Sequence, residues 1–328
     1  MQRIGLELPG EPSVPETMAM AQRAEALGYE SIWLTETRFT RDAVTTTAAA
    51  AVATRTARVA TAVINPFTRS AVLIAVTAAT LDELSGGRLV HGLGPGSPTV
   101  LARQGIEFAR PLARLSETVD LVRRLLRGER VCLGGDTLSL AGAGLDFTPL
   151  RPAIPMYLGV TGPRALALAG TIADGVILNG FVSLAYTKRA VEIVRAAAGE
   201  SGRDPGEVEI ASSIVVSVAD TSAAARDAVR PLVATYLAEF PNIAAESGVA
   251  GDLLDRIAAT HRGGGATAAA TLVDDGVVDA LTCAGTITEV KASLASRRAA
   301  GVQLPIVSFC QSDMAAWLAE LAEPVSSS

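Results

Sequence analysis

Along the chain, short runs of β-branched and other apolar residues alternate with longer stretches whose apolar positions recur every three or four residues. The short runs are Ile4–Leu8, Ser31–Thr35, Arg58–Val63, Leu89–Leu93, Met156–Gly159, Gly175–Leu178, Val208–Val218 and Leu304–Ser308. A helix-like stretch follows each run. Eight such units predict a parallel sheet closed into a (β/α)8 TIM barrel rather than an open doubly wound sheet. Helix ends are written locally: Ser13 with Pro15 and Glu16 opens the first helix, and Gly28 closes it. Thr286 and Glu289 stand at capping-box spacing, which predicts a helix from there to about Gly301.

Two stretches break the rhythm. Val131–Leu133 and Leu138–Leu140 flank Gly134-Gly135-Asp136, which predicts a β-hairpin inserted before the fifth strand. Residues 230–279 are helical in pattern but interrupted by Pro231, Pro241 and Gly263–Gly265. They predict a helical insertion before the eighth strand, lying as a lid over the active-site face and mobile near the three glycines. The barrel is expected to occupy residues 1–324 as a single domain, with 325–328 a disordered tail.

With 49% hydrophobic and 19% charged residues in 328, the chain has ample material for a large core. The mean hydropathy of +0.35 comes from alanine-rich helical patterns, and no run approaches the roughly 18 apolar residues of a membrane span. The apolar run after Met1 is too short for a signal-peptide core. A net charge of −6 without a basic run argues against nucleic acid as a partner. Cys132, Cys283 and Cys310 are widely spaced, so neither a disulfide framework nor a metal site is expected, and a reducing cytoplasm fits. With two histidines, His91 and His261, a catalytic triad or transition-metal centre lacks ligands; the first reads as a buried, satisfied side chain and the second as a surface one.

In a barrel of this kind, chemistry gathers at the C-terminal ends of the strands. Glu7 sits late in an apolar strand, where burial raises a carboxyl pKa and suits it to proton transfer, or where it serves as a bonded structural carboxylate. Glu36 ends the second strand, to face the mouth or to pair with Arg38. Gly92 to Ser97, with Gly94, Pro95 and Gly96, lets a flat ring or a phosphate approach the backbone, though a plain tight turn explains it equally. Gly159, Val160, Thr161, Gly162, Pro163 and Arg164 carry a strand through glycines into a helix opening with proline. That is a potential anion site made of free N–H groups, a helix dipole and a guanidinium, or else an ordinary βα turn.

The runs Ala62-Val63-Ile64-Asn65-Pro66-Phe67-Thr68-Arg69 and Leu81-Asp82-Glu83-Leu84-Ser85-Gly86-Gly87-Arg88 resemble the luciferase-like monooxygenase superfamily. Within it they are most similar to the F420-dependent methylenetetrahydromethanopterin reductases, and the likeness extends through Ala169–Val176 and Val277–Val302. The resemblance implies a (β/α)8 barrel that takes the deazaflavin coenzyme F420 and a small-molecule substrate, as a homodimer or larger homo-oligomer. It implies a non-proline cis peptide at Ala62–Val63, with Ala62, Val63 and Asn65 facing the ring. Gly94, Pro95, Gly96 and Ser97 would line the pocket and Gly159 to Arg164 hold the phosphate, with Glu7 near the reacting centre. Two positions depart from the family pattern: Glu36 and Ser97 each stand where aspartate is usual. Both lie near the expected substrate, so the resemblance carries the cofactor further than it carries methanopterin.

The expected function is therefore hydride transfer between reduced deazaflavin and an electron-poor carbon or imine, with Glu7 or Glu36 handling a proton. The first alternative is an FMN-dependent monooxygenase of the same superfamily. The histidine often found after the second strand in those enzymes is replaced here by Thr37 and Arg38. The second alternative is a flavin-binding protein without turnover.

Overall fold

The computed structural model of the chain describes residues 3–36, 39–310 and 314–322. The first half runs β1 (Gly5–Leu8), α1 (Val14–Ala26), β2 (Ser31–Thr35), α2 (Ala43–Ala53), β3 (Arg58–Ala62), α3 (Ala71–Leu84), β4 (Leu89–Leu93), α4 (Pro98–Ala102) and α5 (Pro111–Leu126). A hairpin of β5 (Val131–Gly134) and β6 (Ser139–Ala143) follows, then β7 (Met156–Gly159), α6 (Pro163–Ile172), β8 (Gly175–Leu178), α7 (Leu184–Glu200) and β9 (Glu209–Val218). The remainder is α8 (Ser222–Glu239), α9 (Pro241–Ser247), α10 (Gly251–Ala270), α11 (Asp275–Leu281), β10 (Cys283–Gly285), α12 (Ile287–Ala299), β11 (Leu304–Phe309) and α13 (Met314–Ala322).

Strands β1-β2-β3-β4-β7-β8-β9-β11 pair in parallel, and β11 pairs back onto β1, so the sheet closes on itself as eight βα units require. The hairpin β5–β6 stands outside the barrel as expected. Both capping boxes read from the sequence, Ser13 with Glu16 and Thr286 with Glu289, are formed.

Three details differ from the sequence reading. The third strand pairs only to Ala62, not to Val63, while the Ala62–Val63 peptide is cis, as the resemblance implies. A further strand, β10, pairs with Val216–Val218 along the part of β9 that β8, paired to Glu209–Ser212, leaves open. The break expected at Gly263–Gly265 is a kink within α10, where Gly265 takes φ 74° and ψ −173°. Residues 325–328 lie outside the described residues.

Strand alternation divides the core in two. One set packs between sheet and helices; the other, with Trp33, Ala60, Val90, Tyr157, Ile177 and Ala211, fills the barrel. At the N-terminal end the interior closes with charge. Arg3 and Arg58 both bond Glu30, at 2.7 and 2.5 Å, while the Tyr157 hydroxyl and Arg3 reach Glu209. At the C-terminal end, Glu7, Thr35, Ala62 and Gly159 are partly exposed. The helices α8–α11 rise from that end of β9 and return to it through β10. They are pinned there by ring contacts of Phe181, just past β8, with Tyr236 at 4.1 Å, and of Tyr236 with Phe240 at 4.9 Å.

Candidate active site at the C-terminal mouth of the barrel

Glu7 pairs in register with Trp33, which pairs with Ala60, so its side chain belongs to the row that faces the barrel interior. Unlike the buried Trp33 it is partly exposed, as are Thr35, Ala62, Val63 and Gly159 at the same end. These residues ring the mouth.

Val63 is the wedge of that ring. A Cβ on Gly159 would lie 2.9 Å from Val63 Cγ1, one on Gly94 2.4 Å from Val63 Cγ2, and one on Gly92 2.0 Å from the Thr61 carbonyl oxygen. The glycines of β4 and β7 thus make room for the chain leaving β3. Asn65 fixes the next turn: its side chain donates to the Pro95 carbonyl at 3.2 Å and accepts from Phe67 N–H at 2.7 Å. A Cβ on Gly96, whose φ is +77°, would strike that amide. Ser97 is the N-cap residue of α4 but makes no side-chain capping bond. The segments 61–65, 92–96 and 159 therefore meet in one place.

Beyond Gly159, Val160 and Thr161 are buried, and Gly162 is the N-cap of the ten-residue α6 with Pro163 in its first turn. No side chain caps this helix, and a Cβ on Gly162 would meet nothing within 4 Å. Arg164 is exposed and forms no ion pair with the described residues. First-turn N–H groups, the positive end of a helix dipole and an unpaired guanidinium together are a donor set that fits an anion. The Tyr186 hydroxyl, from α7, donates to the Thr161 carbonyl at 2.7 Å and holds the turn from behind.

Glu36 lies apart from Glu7. Its N–H continues the ladder to the Ala62 carbonyl, so alternation turns its side chain to the opposite face from Trp33 and Thr35. The sequence offered the mouth or Arg38 as its direction. Arg38 lies outside the described residues, and the arginine beside Glu36 is Arg69, 3.8 Å away and also bonded to Asp42, the N-cap of α2. Burial raises the Glu36 carboxyl above the usual range, opposed by the Arg69 charge and the Ala43 N–H. In the sequence Arg69 is only the last residue of the Asn65-Pro66-Phe67-Thr68-Arg69 run, and nothing local reveals its reach to two carboxylates across a βα loop.

The histidines also differ from expectation. His91 is wholly buried, but its Nε2 has no hydrogen-bond partner among the described residues. Burial, with help from Arg69, lowers its pKa to about 4. His261, expected at the surface, is largely covered, with Nε2 4.0 Å from Glu239. Among the described residues no cluster of His, Cys, Asp and Glu has the arrangement of a metal site, and no helix is long and apolar enough to cross a membrane.

The sequence profile of luciferase-like monooxygenases matches residues 2–304. The chain belongs to the luciferase-like monooxygenase family. Among its relatives, a 5,10-methylenetetrahydromethanopterin reductase of Methanolobus tindarius is 31% identical over 299 residues, covering 88% of this chain and 89% of the relative. An F420-dependent glucose-6-phosphate dehydrogenase of Nakamurella multipartita is 32% identical over 229 residues, 66% of this chain and 67% of that one. The solved structure of the coenzyme F420-dependent tetrahydromethanopterin reductase from Methanopyrus kandleri superposes with a TM-score of 0.89 at 24% identity. It covers 98% of this chain and 97% of its own, a likeness of fold. The luciferase-like barrel is thus the frame for the mouth described above.

Proposed function

We propose that the chain is an F420-dependent oxidoreductase of the luciferase-like family, transferring a hydride between the reduced deazaflavin and a small organic acceptor with an electron-poor carbon or imine. The observation that carries this reading is the meeting of two features at one end of the barrel. Val63, seated on the glycines of β4 and β7, offers an apolar backing for a flat ring, and the uncapped start of α6 offers an anion site. The F420-dependent relative and the deazaflavin reductase of the same fold support the choice of cofactor.

When bound, reduced F420 supplies the hydride; the protein supplies position and electrostatics. Ala62, Val63 and Asn65 would lie against the ring, Gly94, Pro95, Gly96 and Ser97 along its edge, and Gly159 to Arg164 at the phosphate. Glu7, on the inward face and partly exposed, would give or take a proton at the mouth. Glu36, behind the ring of mouth residues, lies beside Arg69, which also pairs with Asp42.

Equilibrium binding of oxidised F420 and of FMN, followed side by side by fluorescence quenching, tests the assignment. Tight F420 binding with weak FMN is expected, and Arg164→Ala should weaken F420 roughly tenfold through loss of a charge-assisted contact. Preference for FMN would move the chain to oxygen chemistry. Binding of neither would remove the cofactor assignment.

A further inference from the structure

Seven buried side-chain polar atoms lack a hydrogen-bond partner among the described residues, and four belong to neighbouring elements, the end of β2, α2, the turn before α3 and β4: Glu36 Oε2, Thr47 Oγ1, Arg69 Nε and His91 Nε2. Glu36 touches Arg69 and receives the Ala43 N–H. Thr47 stands one turn beyond Ala43 on the same buried face of α2. His91, on the helix-facing side of β4, feels the charge of Arg69. Thr47 and His91 are both fully buried.

The hydrogen-bonding capacities are complementary. Arg69 Nε–H and the Thr47 hydroxyl can donate, while Glu36 Oε2 accepts. The role of His91 follows from its neighbour. Thr61 Oγ1 accepts from Gly92 N–H and donates to the Gly92 carbonyl, both at 3.0 Å, so its proton is committed. His91 Nδ1, 3.5 Å from that oxygen, then faces it as the N–H, which leaves Nε2 as an acceptor. Two donors and two acceptors are what the tetrahedron of one water satisfies. A dry arrangement would forfeit a large share of a domain's net stability.

We propose that the layer between β2–β4 and helices α2 and α3 holds an internal water site, one molecule or a short file, bonded to Glu36, Thr47, Arg69 and His91, which hydrates Glu36 from behind the mouth. Arg69 is then a positioning residue for Glu36, fixing one carboxylate oxygen while water serves the other. The charged groups acting on Glu36 are Asp42 on α2 and Arg69 before α3, with neutral His91 behind Arg69 on β4. The proposal concerns the folded chain alone, so it stands or falls separately from the choice of cofactor.

A crystal structure of the full chain at a resolution that shows ordered water, together with a carbon-13 titration of the Glu36 carboxyl, tests it. Ordered density bridging the four atoms is expected in the wild type. Thr47→Val should lose or displace it and raise the Glu36 titration midpoint by about one pH unit, while Thr47→Ser, which keeps the hydroxyl, should leave it unchanged. Direct protein bonds among the four atoms, a dry layer, or a Thr47→Val titration coincident with wild type would overturn the inference. If Thr47→Val does not fold, the wild-type density decides alone.

Discussion

His91 shows how a single side chain couples to the whole fold. Its imidazole is lowered from 6.5 to about 4, first by burial and then by Arg69, so the folded state favours the neutral ring and the unfolded chain the protonated one at mildly acidic pH. The resulting stability is complete above 6.5 and is lost as pH falls toward 4, an effect on the order of 3 kcal/mol. His91→Gln should flatten that part of the acid limb in urea unfolding measured from pH 7 to 4; parallel slopes in variant and wild type would contradict the burial argument. The sequence allowed burial to be read for His91, since it sits between apolar neighbours in a strand. Its tautomer and its lowered pKa depend on Thr61 and Arg69, which come from another strand and a loop. Glu36 follows the same logic: its strand position was readable, its face and partner were not.

At the scale of the element, the strand order and helix caps follow from short-range pattern, because an apolar run or a capping box is complete within a few residues. The glycines after β4 and β7 carry a longer-range meaning. Read alone they suggest a turn or a ligand; in the fold Gly92, Gly94, Gly96 and Gly159 leave room for Val63 or its neighbours. Gly159→Ala should destabilise the protein by about 1–3 kcal/mol, since the new methyl meets Val63 and no other side chain in close contact. Adding Val63→Ala should recover part of that loss, giving a coupling of at least about 0.5 kcal/mol in a double-mutant cycle read by thermal unfolding. Strict additivity would mean that the two residues do not press on each other. F420 affinity should fall in both single variants, because each disturbs the surface proposed to back the ring.

Across the whole molecule the two barrel ends divide the work. Arg3, Glu30, Arg58, Tyr157 and Glu209 close the N-terminal end, and the partly exposed residues around Glu7 and Val63 open the other. Tyr157→Phe removes the bond to Glu209 far from the mouth. It should lower stability by about 1.5–3 kcal/mol, the worth of a hydrogen bond to a charged group, while leaving F420 affinity within twofold. A loss of affinity equal to the loss of stability would show that the ends are not independent. By itself the sequence determined the barrel, the hairpin, the helical insertion and the family, because periodicity, caps and contiguous motifs are local properties that survive without coordinates. Tertiary structure alone decided that β10 completes the free edge of β9, that Glu7 and Glu36 face opposite sides of the sheet, and that Arg69 pairs with both Asp42 and Glu36. These are contacts between segments brought together only when the sheet closes, and their partners carry no signature in the residues beside them.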